Sequence, residues 1–398
     1  MTLGSMGKLR VMIIGGGIGG LCLAHGLRRA GVTVTVHERT EARTDWLQGY
    51  RIHINPHGGR ALHDCLPPGN WTAFLGTVSP DDAGFGFTTE HLDDLLRFDA
   101  AEITGEHHGV SRIKLREVLL SGLDEVVRHG REFVRYETRG AEVVAYFANG
   151  STDTADVLIG ADGANSRVRA RLLPHARRAD TGIVAIAGKH RLDGAALPRV
   201  LTDDVNLIIP ARRGSLFTAI WRGEDPYILW GFSEWAAALP RLDDADLRAL
   251  VLERTTGWAS PLRDLVAGSD PSSVNALRIR SATPVKPWPT TRVTLLGDAI
   301  HNMTPMAGVG ANTALRDADL LRRKLTEVAA GRADLLAALH DYEQEMINYG
   351  FAAVRQSLRN ARQGASTSRL ARTAFRTTLR TVSAVPALRR RMAAQFGQ

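Results

Sequence analysis

A run of six residues near the start of the chain, Gly15-Gly16-Gly17-Ile18-Gly19-Gly20, has the spacing of a turn that binds a dinucleotide. Its glycines permit a tight turn, close approach of the backbone to a pyrophosphate, and close packing of the following helix. The N–H groups and positive dipole end of that helix would face the phosphates. Glu38, followed by Arg39, is placed to accept hydrogen bonds from ribose hydroxyls. We therefore predict a bound dinucleotide with a free ribose 2′-OH.

The elements around this turn form a strand–helix–strand unit. The apolar residues 11–14 predict a buried parallel strand, and residues 21–30 predict a helix that ends before Gly31. Residues 33–37 alternate as a second strand. A chance glycine-rich loop is the alternative, but the complete strand, turn, helix and strand context argues against it.

Two further predicted strands end at an aspartate next to a glycine. Residues 157–160 lead into Asp162-Gly163, and residues 293–296 lead into Gly297-Asp298. At the carboxyl end of a strand, an aspartate can accept hydrogen bonds from sugar or ribityl hydroxyls. A loop and the start of a helix follow, and the N-terminus of that helix would face developing negative charge on a ring system. The candidate contact residues of this loop are Pro305, Gly308, Gly310, Ala311 and Asn312.

Between these motifs the hydrophobic pattern changes. Residues 182–235 alternate with a period of two, which predicts a second sheet outside the nucleotide fold. Residues 67–110 are predicted as loops and short strands, and residues 56–59 as a turn. Four aromatic residues of the second sheet could line a substrate cavity or belong to an ordinary core. They are Phe217, Trp221, Trp230 and Phe232.

Composition and charge exclude several classes of protein. The chain has 398 residues, 44% hydrophobic and 23% charged, as expected for a globular protein of one large or two smaller domains. Two cysteines exclude a disulfide framework and a cysteine-rich metal site, so we expect no metal and a cytoplasmic protein. Residues 355–398 hold ten of the 50 basic residues and none of the 42 acidic ones, so residues 1–354 carry a net charge of 40 − 42 = −2. We therefore expect no nucleic-acid partner.

The arginine-rich tail has a helical period. Its arginines recur at three- and four-residue steps, and Phe375, Leu379 and Val382 follow the same period on another face. Such a helix could lie on an anionic membrane, or it could pack its apolar face across the domains of its own chain. We favour packing, because Pro386 interrupts the pattern, alanine dominates the apolar stripe and tryptophan is absent from the tail. Membrane association is therefore not expected.

In this order, the glycine turn and the two aspartate motifs resemble the flavoprotein monooxygenase family typified by para-hydroxybenzoate hydroxylase, in its group A of polyketide- and antibiotic-tailoring type. The resemblance implies an α/β fold with a Rossmann-like FAD-binding domain of the GR2 type, a β-sheet substrate domain and a C-terminal helix. The FAD-binding domain is expected over residues 8–75, 105–175 and 277–345. The substrate domain is expected over residues 76–104 and 176–276, and a C-terminal helical segment over residues 346–398.

The same resemblance implies FAD that is reduced by NAD(P)H and reacts with O₂ to form a C4a-hydroperoxide, which hydroxylates or epoxidises a hydrophobic aromatic or polyketide-like small molecule. It implies a monomer or weak dimer. A FAD-retaining, non-redox cyclase on the same scaffold stays open, because both would keep the FAD motifs. The residues carried over are Gly15, Gly17, Gly20, Glu38 and Arg39 for the ADP half, Arg112 for the flavin nucleotide, Asp162 and Gly163 for FAD and the nicotinamide pyrophosphate, Asp298 for the ribityl chain, and residues 305–312 for the isoalloxazine.

No catalytic residue is firmly assigned, because in this chemistry the flavin does the work and the protein positions the substrate. Arg51 and His53, on a predicted strand near the flavin edge, could touch the substrate or the isoalloxazine, or lie on the surface. His301 could relay a proton, but an oriented structural histidine is the preferred interpretation.

Overall fold

Two sheets organise the fold seen in the computed structural model, which describes residues 8–41, 50–79, 84–192, 197–239 and 246–396. The strands in chain order are β1 (Arg10–Ile14), β2 (Thr33–His37), β3 (Arg51–Ile54), β4 (Phe85–Thr88), β5 (Asp94–Phe98), β6 (His108–Ser111), β7 (Val127–Arg128), β8 (Phe133–Arg139), β9 (Glu142–Phe147), β10 (Thr152–Ala155), β11 (Val157–Gly160), β12 (Arg178–Arg191), β13 (Val205–Ile208), β14 (Ser215–Trp221), β15 (Tyr227–Trp235), β16 (Asn275–Ala282) and β17 (Val293–Leu295).

The helices surround these strands and also form the C-terminal part of the chain. In chain order they are α1 (Ile18–Arg29), α2 (Pro56–Cys65), α3 (Pro68–Leu75), α4 (Arg112–Leu120), α5 (Arg167–Leu172), α6 (Arg199–Asp203), α7 (Leu247–Arg254), α8 (Ser260–Ala267), α9 (Asp298–His301), α10 (Gly310–Ala329), α11 (Leu335–Gly364), α12 (Arg369–Ala384) and α13 (Pro386–Phe396).

The first sheet is parallel and has the strand order β17-β11-β1-β2-β7. Strand β11 and the part of β1 that follows Arg10 are apolar and buried, as expected for a parallel sheet that is covered on both faces. Because all its strands run in the same direction, their carboxyl ends lie along one edge. The predicted α/β architecture with a Rossmann-like domain is confirmed.

The second sheet has seven strands in the order β16-β12-β15-β14-β13-β4-β5, with every pair antiparallel except β13 and β4. It contains the period-two strands that the sequence predicts for residues 182–235. One face packs against α7 and α8 around a core that includes Leu216, Ile228 and Leu265. Its other face looks toward a two-stranded antiparallel ribbon of β3 and β6, since β14 contacts β6.

The prediction of a turn over residues 56–59 is wrong, because these residues form the start of a helix. Helix α2 begins at Pro56, and the side chain of Asn55 accepts a hydrogen bond from the Gly58 amide at 3.0 Å. An Asn-Pro pair can open either a turn or a helix, because asparagine caps both and proline fits the first helical position. Here the buried Ala61, Leu62 and Cys65 decide for the helix. Helix α3 also lies in a region predicted as loops and short strands.

The amphipathic tail packs against its own protein. Leu379 of α12 is 1% exposed in a cluster with β5, and Phe375 meets the Phe87 ring with centroids 6.3 Å apart. Arg376 and Arg389 form ion pairs with Glu90 and Glu102 of the substrate-sheet region. The helix α11 that precedes this tail runs continuously through the boundary predicted between residues 345 and 346. Within the described ranges, no helix has the length and apolarity that a bilayer span requires.

Candidate functional site

The glycine turn connects β1 to α1 and leaves open space in front of the helix. Gly15 has a φ of +111°, and a Cβ added there would lie 2.3 Å from the Ala161 carbonyl oxygen. A Cβ at Gly20 would lie 2.3 Å from the Gly15 oxygen, so neither position accepts a side chain. At Gly17, by contrast, an added Cβ would meet no described atom within 4 Å. The turn therefore combines close packing behind the helix with free space where a pyrophosphate would approach.

Ile18 and Gly19 form the start of α1. A Cβ at Gly19 would come within 2.5 Å of Leu296 Cδ2 and 3.2 Å of the Ala314 carbonyl oxygen. Gly19 thus lets α1 pack directly on α10 and on the strand that leads to Asp298. Ile18 is half-buried and packs against the core of the parallel sheet.

Glu38 lies at the carboxyl end of β2, beside the glycine turn. One of its carboxylate oxygens accepts from the Gly16 amide at 2.8 Å, and the other accepts from the Thr40 amide at 3.0 Å. It is 5% exposed, while Arg39 next to it is exposed. The carboxylate therefore lies where the sequence predicts it. Its hydrogen bond to a ribose stays a prediction.

Helix α4 places one arginine, Arg116, near this carboxylate and a second, Arg112, one turn before it. Arg112 is exposed at the start of the helix, and Arg116, one turn later, is 4% exposed. Burial lowers the pKa of Arg116, Glu38 opposes that effect, and Arg112 adds to it. Arg116 was not among the predicted site residues. Its spacing of four from Arg112 was the available signal, since residues four apart share a helix face.

Asp162 follows β11 and has one carboxylate oxygen that is not satisfied. Its Oδ2 accepts from the amides of Arg167 at 2.8 Å and Val168 at 3.3 Å, which caps α5. Its Oδ1 is buried and has no hydrogen-bond partner among the described residues. Burial raises the pKa of this carboxyl group. Gly163, with a φ of +75°, turns the chain directly after it. An orphaned buried acceptor of this kind fits a hydroxyl donor from a ligand.

Asp298 begins the short helix α9 at the end of β17. It is exposed and makes no hydrogen bond within the part of the chain that the structure describes. Arg169 of α5 ties this turn to the Asp162 loop, because its guanidinium donates to the carbonyls of Ala299 at 2.7 Å and Ala164 at 3.0 Å. Burial lowers the pKa of Arg169, and the charges of Asp162 and Asp298 act in the opposite direction. Sequence reasoning missed Arg169, since nothing in its local pattern separates it from neighbouring arginines.

The loop from Pro305 to Asn312 ends in the N-terminus of α10. Gly308 has a φ of +64°, and a Cβ there would meet no described atom within 4 Å. Gly310 and Ala311 form the first turn of α10, which contains no acidic residue. Asn312 joins this loop to β3, because its Nδ2 donates to the His53 carbonyl at 2.8 Å and its Oδ1 accepts from the Asn55 amide at 2.9 Å. The first turn of α10 is therefore held against β3, and the open space in this loop lies at Gly308.

A buried carboxylate on α10 stabilises the turn that precedes Asp298. Asp317 of α10 accepts from the Gly297 amide and from His301 Nε2, each at 2.7 Å. Both Asp317 and His301 are 0% exposed. Burial lowers the pKa of His301, but Asp317 outweighs it, so the net shift is upward. Tyr349 also donates to Asp317, at 2.5 Å, so His301 lies in a buried network, which supports a structural role. The Nδ1 atom of His301 is buried and has no hydrogen-bond partner among the described residues.

Arg51 and His53 lie on the same face of β3, toward the second sheet. A hydrogen bond of 2.9 Å joins the His53 Nε2 and His107 Nδ1 atoms. Burial, and to a smaller extent the charge of Arg51, lowers the pKa of His53 to about 3. Burial also lowers the pKa of Arg51 to about 10, with Tyr227 opposing. At neutral pH His53 is therefore uncharged and Arg51 remains a cation.

The four aromatic candidates divide between the two faces of the second sheet. Trp230 is 0% exposed, donates to Ser269 Oγ at 2.6 Å and belongs with Phe232 to the core beneath α7 and α8. Phe217 and Trp221 have the opposite strand parity and face the ribbon. Trp221 is buried at the strand end, where its indole donates to the Glu224 carbonyl at 3.2 Å. The four residues therefore do not line one cavity, and only Phe217 remains partly exposed on the ribbon side.

These residues meet at one edge of the parallel sheet. The glycine turn follows β1, Glu38 follows β2, Asp162 follows β11 and Asp298 follows β17, and those four strands are neighbours. The free space at Gly17 and Gly308 and the orphaned Asp162 oxygen fit an extended dinucleotide. Across the described ranges, His, Cys, Asp and Glu side chains form no group of three or more that could hold a metal ion.

Comparisons with known protein families agree with this geometry. Residues 114–357 match the family described as FAD binding domain, and residues 13–76 match a NAD(P)-binding Rossmann-like domain. The first match covers more than half of the chain and includes the Asp162 and Asp298 motifs. The second covers the glycine turn and Glu38.

Individual relatives point the same way. The chain is 30% identical to a FAD-dependent urate hydroxylase of Mycolicibacterium vanbaalenii, covering 79% of both chains. It is also 30% identical to the dual O-methyltransferase/FAD-dependent monooxygenase elcB of Phaeosphaeria nodorum, over 82% of this chain and 41% of that protein. The chain thus spans less than half the length of the first curated relatives it matches.

A solved structure from Photorhabdus luminescens, provisionally described as a FAD-containing monooxygenase, superposes with a TM-score of 0.84 at 40% identity. That similarity covers 90% of this chain and 99% of the other.

Proposed function

Because this chain belongs to the FAD-binding domain family and FAD is its cofactor, we propose that it is a monooxygenase that uses NAD(P)H and O₂ to hydroxylate or epoxidise a hydrophobic aromatic or polyketide-like small molecule. When bound, FAD supplies the transfer of two electrons from NAD(P)H and the activation of O₂. The protein supplies binding, orientation and exclusion of water.

The convergence of four strand ends carries this proposal. Gly17 leaves space for a pyrophosphate, Glu38 lies beside it, and Asp162 and Asp298 present carboxylates along the same edge. Such a row suits a cofactor that extends from an adenosine at β2 to a flavin near α10. The N-terminus of α10 favours negative charge on the ring system that lies against it.

The positions of the two sheets support the oxygenation part of the proposal. The ribbon of β3 and β6 lies between the α10 loop and the second sheet, so a substrate held there would be close to the flavin. Asn312 fixes the distance between the α10 loop and the ribbon, because from the first turn of α10 its side chain forms hydrogen bonds with the backbone of β3 and of the residue that follows it. Residues of this interface would orient the substrate and keep water out. They include Arg51, Tyr227 and Phe217.

Release of the cofactor provides the first test. We expect a yellow protein that releases FAD on acid or heat treatment. The reason is that the glycine turn and Glu38 would bind the adenosine half of FAD, which FMN lacks. Chromatography of the released flavin distinguishes FAD from FMN. Recovery of FMN, or of no flavin, would refute the proposal.

Turnover provides the second test. With substrates from an aromatic and polyketide panel, we expect NAD(P)H oxidation and O₂ consumption to rise together, with one oxygen atom from ¹⁸O₂ appearing in the product. Conversion of a substrate by the oxidised protein under anaerobic conditions and without NAD(P)H would instead establish the non-redox cyclase.

A further inference from the structure

The loop from Pro305 to Asn312, which is the flavin loop of the proposed function, is attached to other parts of the fold at both ends. At its C-terminal end, the side chain of Asn312 forms hydrogen bonds with the backbone of β3 and of the residue that follows it. At its N-terminal end, the preceding residue Thr304 bonds to Ser357 of α11, 53 residues further along the chain. Between these two attachments lies Gly308, where the loop borders open space.

The contact between Thr304 and Ser357 is reciprocal. Thr304 Oγ1 donates to the Ser357 carbonyl at 2.9 Å, and Ser357 Oγ donates to the Thr304 carbonyl at 2.6 Å. The two hydroxyl groups are also in hydrogen-bond contact with each other. Thr304 is 1% exposed and Ser357 is 0% exposed, so these bonds are shielded from solvent. The pair therefore holds the backbone of Thr304 itself, immediately before the flavin loop begins.

Neither hydroxyl bonds within its own segment in the part of the chain that the structure describes. Thr304 occupies the N-cap position of the short 3-10 turn Pro305–Ala307, where threonine usually caps its own helix, but its side chain makes no capping bond. Ser357 lies inside the 30-residue helix α11, where serine is a poorer helix former than alanine. Because each side chain bonds to the other segment instead, the contact serves the position of the loop relative to α11.

Helix α11 connects this contact to the second sheet. Beyond Ser357 the helix packs on β12 and β16. A buried apolar cluster lies there, with the members Ile183, Ile279, Ala361 and Ala365. Met306 of the flavin loop packs against the same cluster. The loop is thus held by hydrogen bonds at Thr304 and by apolar packing at Met306, and α11 contributes to both.

We propose that Thr304 and Ser357 are positioning residues for the flavin, because their reciprocal bonds fix the loop whose backbone around Gly308 faces the isoalloxazine ring. This inference rests on the proposed function for the place of the ring. Backbone N–H groups and the nearby N-terminus of α10 favour negative charge on that ring. A fixed loop therefore binds reduced FAD, which carries the additional negative charge, more tightly than oxidised FAD. The pair of hydroxyls consequently raises the reduction potential of the bound cofactor.

The reduction potential of FAD in the holoenzyme tests the proposal without turnover, by slow reduction in the presence of a reference dye. We expect Ser357→Ala and Thr304→Val each to make the two-electron potential more negative by about 30 mV, which corresponds to a tenfold loss of the preference for reduced FAD. Thr304→Ser keeps the hydroxyl group and should restore the wild-type potential.

A double variant and a matched control separate positioning from stability. Both single variants lose the contact between the two hydroxyls, so Thr304→Val combined with Ser357→Ala should shift the potential by less than the sum of the single shifts. Thr255→Val is the control, because Thr255 is 2% exposed and its hydroxyl donates to the Val251 carbonyl of α7 at 2.8 Å. This control removes a buried hydroxyl bond of the same kind, so it should lower the melting temperature and leave the potential unchanged.

The proposal is refuted if Ser357→Ala and Thr304→Val keep the wild-type potential, or if Thr255→Val shifts the potential equally. Additive shifts in the double variant would also overturn it, since the two residues would then act separately. If Thr304→Val does not fold, Ser357→Ala decides, because alanine preserves α11 and its carbonyl at position 357. Failure of the proposed function would look different: a protein that shows the shifts but never couples NAD(P)H oxidation to O₂ keeps the positioning pair and loses the monooxygenase.

Discussion

The guanidinium of Arg169 donates to the carbonyl of Ala299, 130 residues further along the chain, at 2.7 Å. Its other nitrogen donates to the carbonyl of Ala164 at 3.0 Å. One side chain of α5 therefore spans the two aspartate loops at the carboxyl ends of β11 and β17. The relative position of Asp162 and Asp298, and with it the shape of the proposed cofactor site, depends on this arginine.

We predict that Arg169→Gln weakens FAD binding by about tenfold, because loss of two charge-assisted bonds, each worth roughly 1.5–3 kcal/mol, loosens both loops. Titration of apoprotein with FAD, followed by flavin fluorescence, measures the effect. Arg171→Gln is the control, since Arg171 is exposed on the same helix and lies over the Tyr136 ring. Equal affinities in the two variants would contradict the role given to Arg169.

We predict that Asp298→Ala lowers FAD affinity by one to two decades. The Asp298 carboxylate is exposed at the strand end, and a charge-assisted bond to a ribityl hydroxyl should contribute about 1.5–3 kcal/mol. The same titration measures it, with Asp264→Ala on the exposed side of α8 as the control. Unchanged affinity and an unchanged rate of flavin reduction would make Asp298 a turn residue only.

We predict that the buried pair of His301 and Asp317 stabilises the fold most at low pH. Asp317 raises the pKa of His301 in the folded protein above its usual 6.5. A raised folded pKa gives stability that is fully present below 6.5 and is lost as the pH rises through the folded value. Removing one partner of a buried pair costs about 3–5 kcal/mol when the pair is charged.

Urea unfolding of the wild type and of His301→Gln at pH 6 and pH 9 provides the measurement. The difference in the free energy of unfolding between the two proteins should be larger at pH 6, because the other titrating groups are common to both and cancel. A difference that is the same at both pH values would show that the His301 imidazole is neutral throughout.

We predict that Arg372 anchors the tail. It is 2% exposed and donates to the carbonyls of Pro210, Gly214, Gly364 and Ser366, at 2.7 to 3.1 Å. Arg372→Met should lower the free energy of unfolding by about 2 kcal/mol or more, since buried carbonyls lose their donors. Arg380→Met, at an exposed position of the same helix, should have little effect.

Truncation before Arg369 extends this test to the whole segment. It should lower the melting temperature and expose apolar surface that Leu379 and Phe375 now cover. A truncated protein with the same melting temperature that had lost liposome binding would instead support a membrane role for α12.

Several features followed from the sequence alone because their signals are local. The spacing of the glycines predicts a tight turn at Gly15, which adopts a φ of +111°. The apolar runs that precede Asp162 and Asp298 likewise predict the strands that lead to them. The glycine turn with Glu38 was enough to predict a dinucleotide site, and the period-two alternation of residues 182–235 predicted a second sheet. The amphipathic period of the tail likewise predicted α12.

The tertiary structure decided which of the similar residues matter. Arg169 and Arg372 do not differ from other arginines in the sequence, because their roles depend on carbonyls contributed by distant segments. Trp230 and Phe217 both lie on strands of alternating period, and only the packing of α7 and α8 shows which face is core. Local conformation is encoded in neighbouring residues, whereas the partners of a buried charge are set by packing over the whole chain.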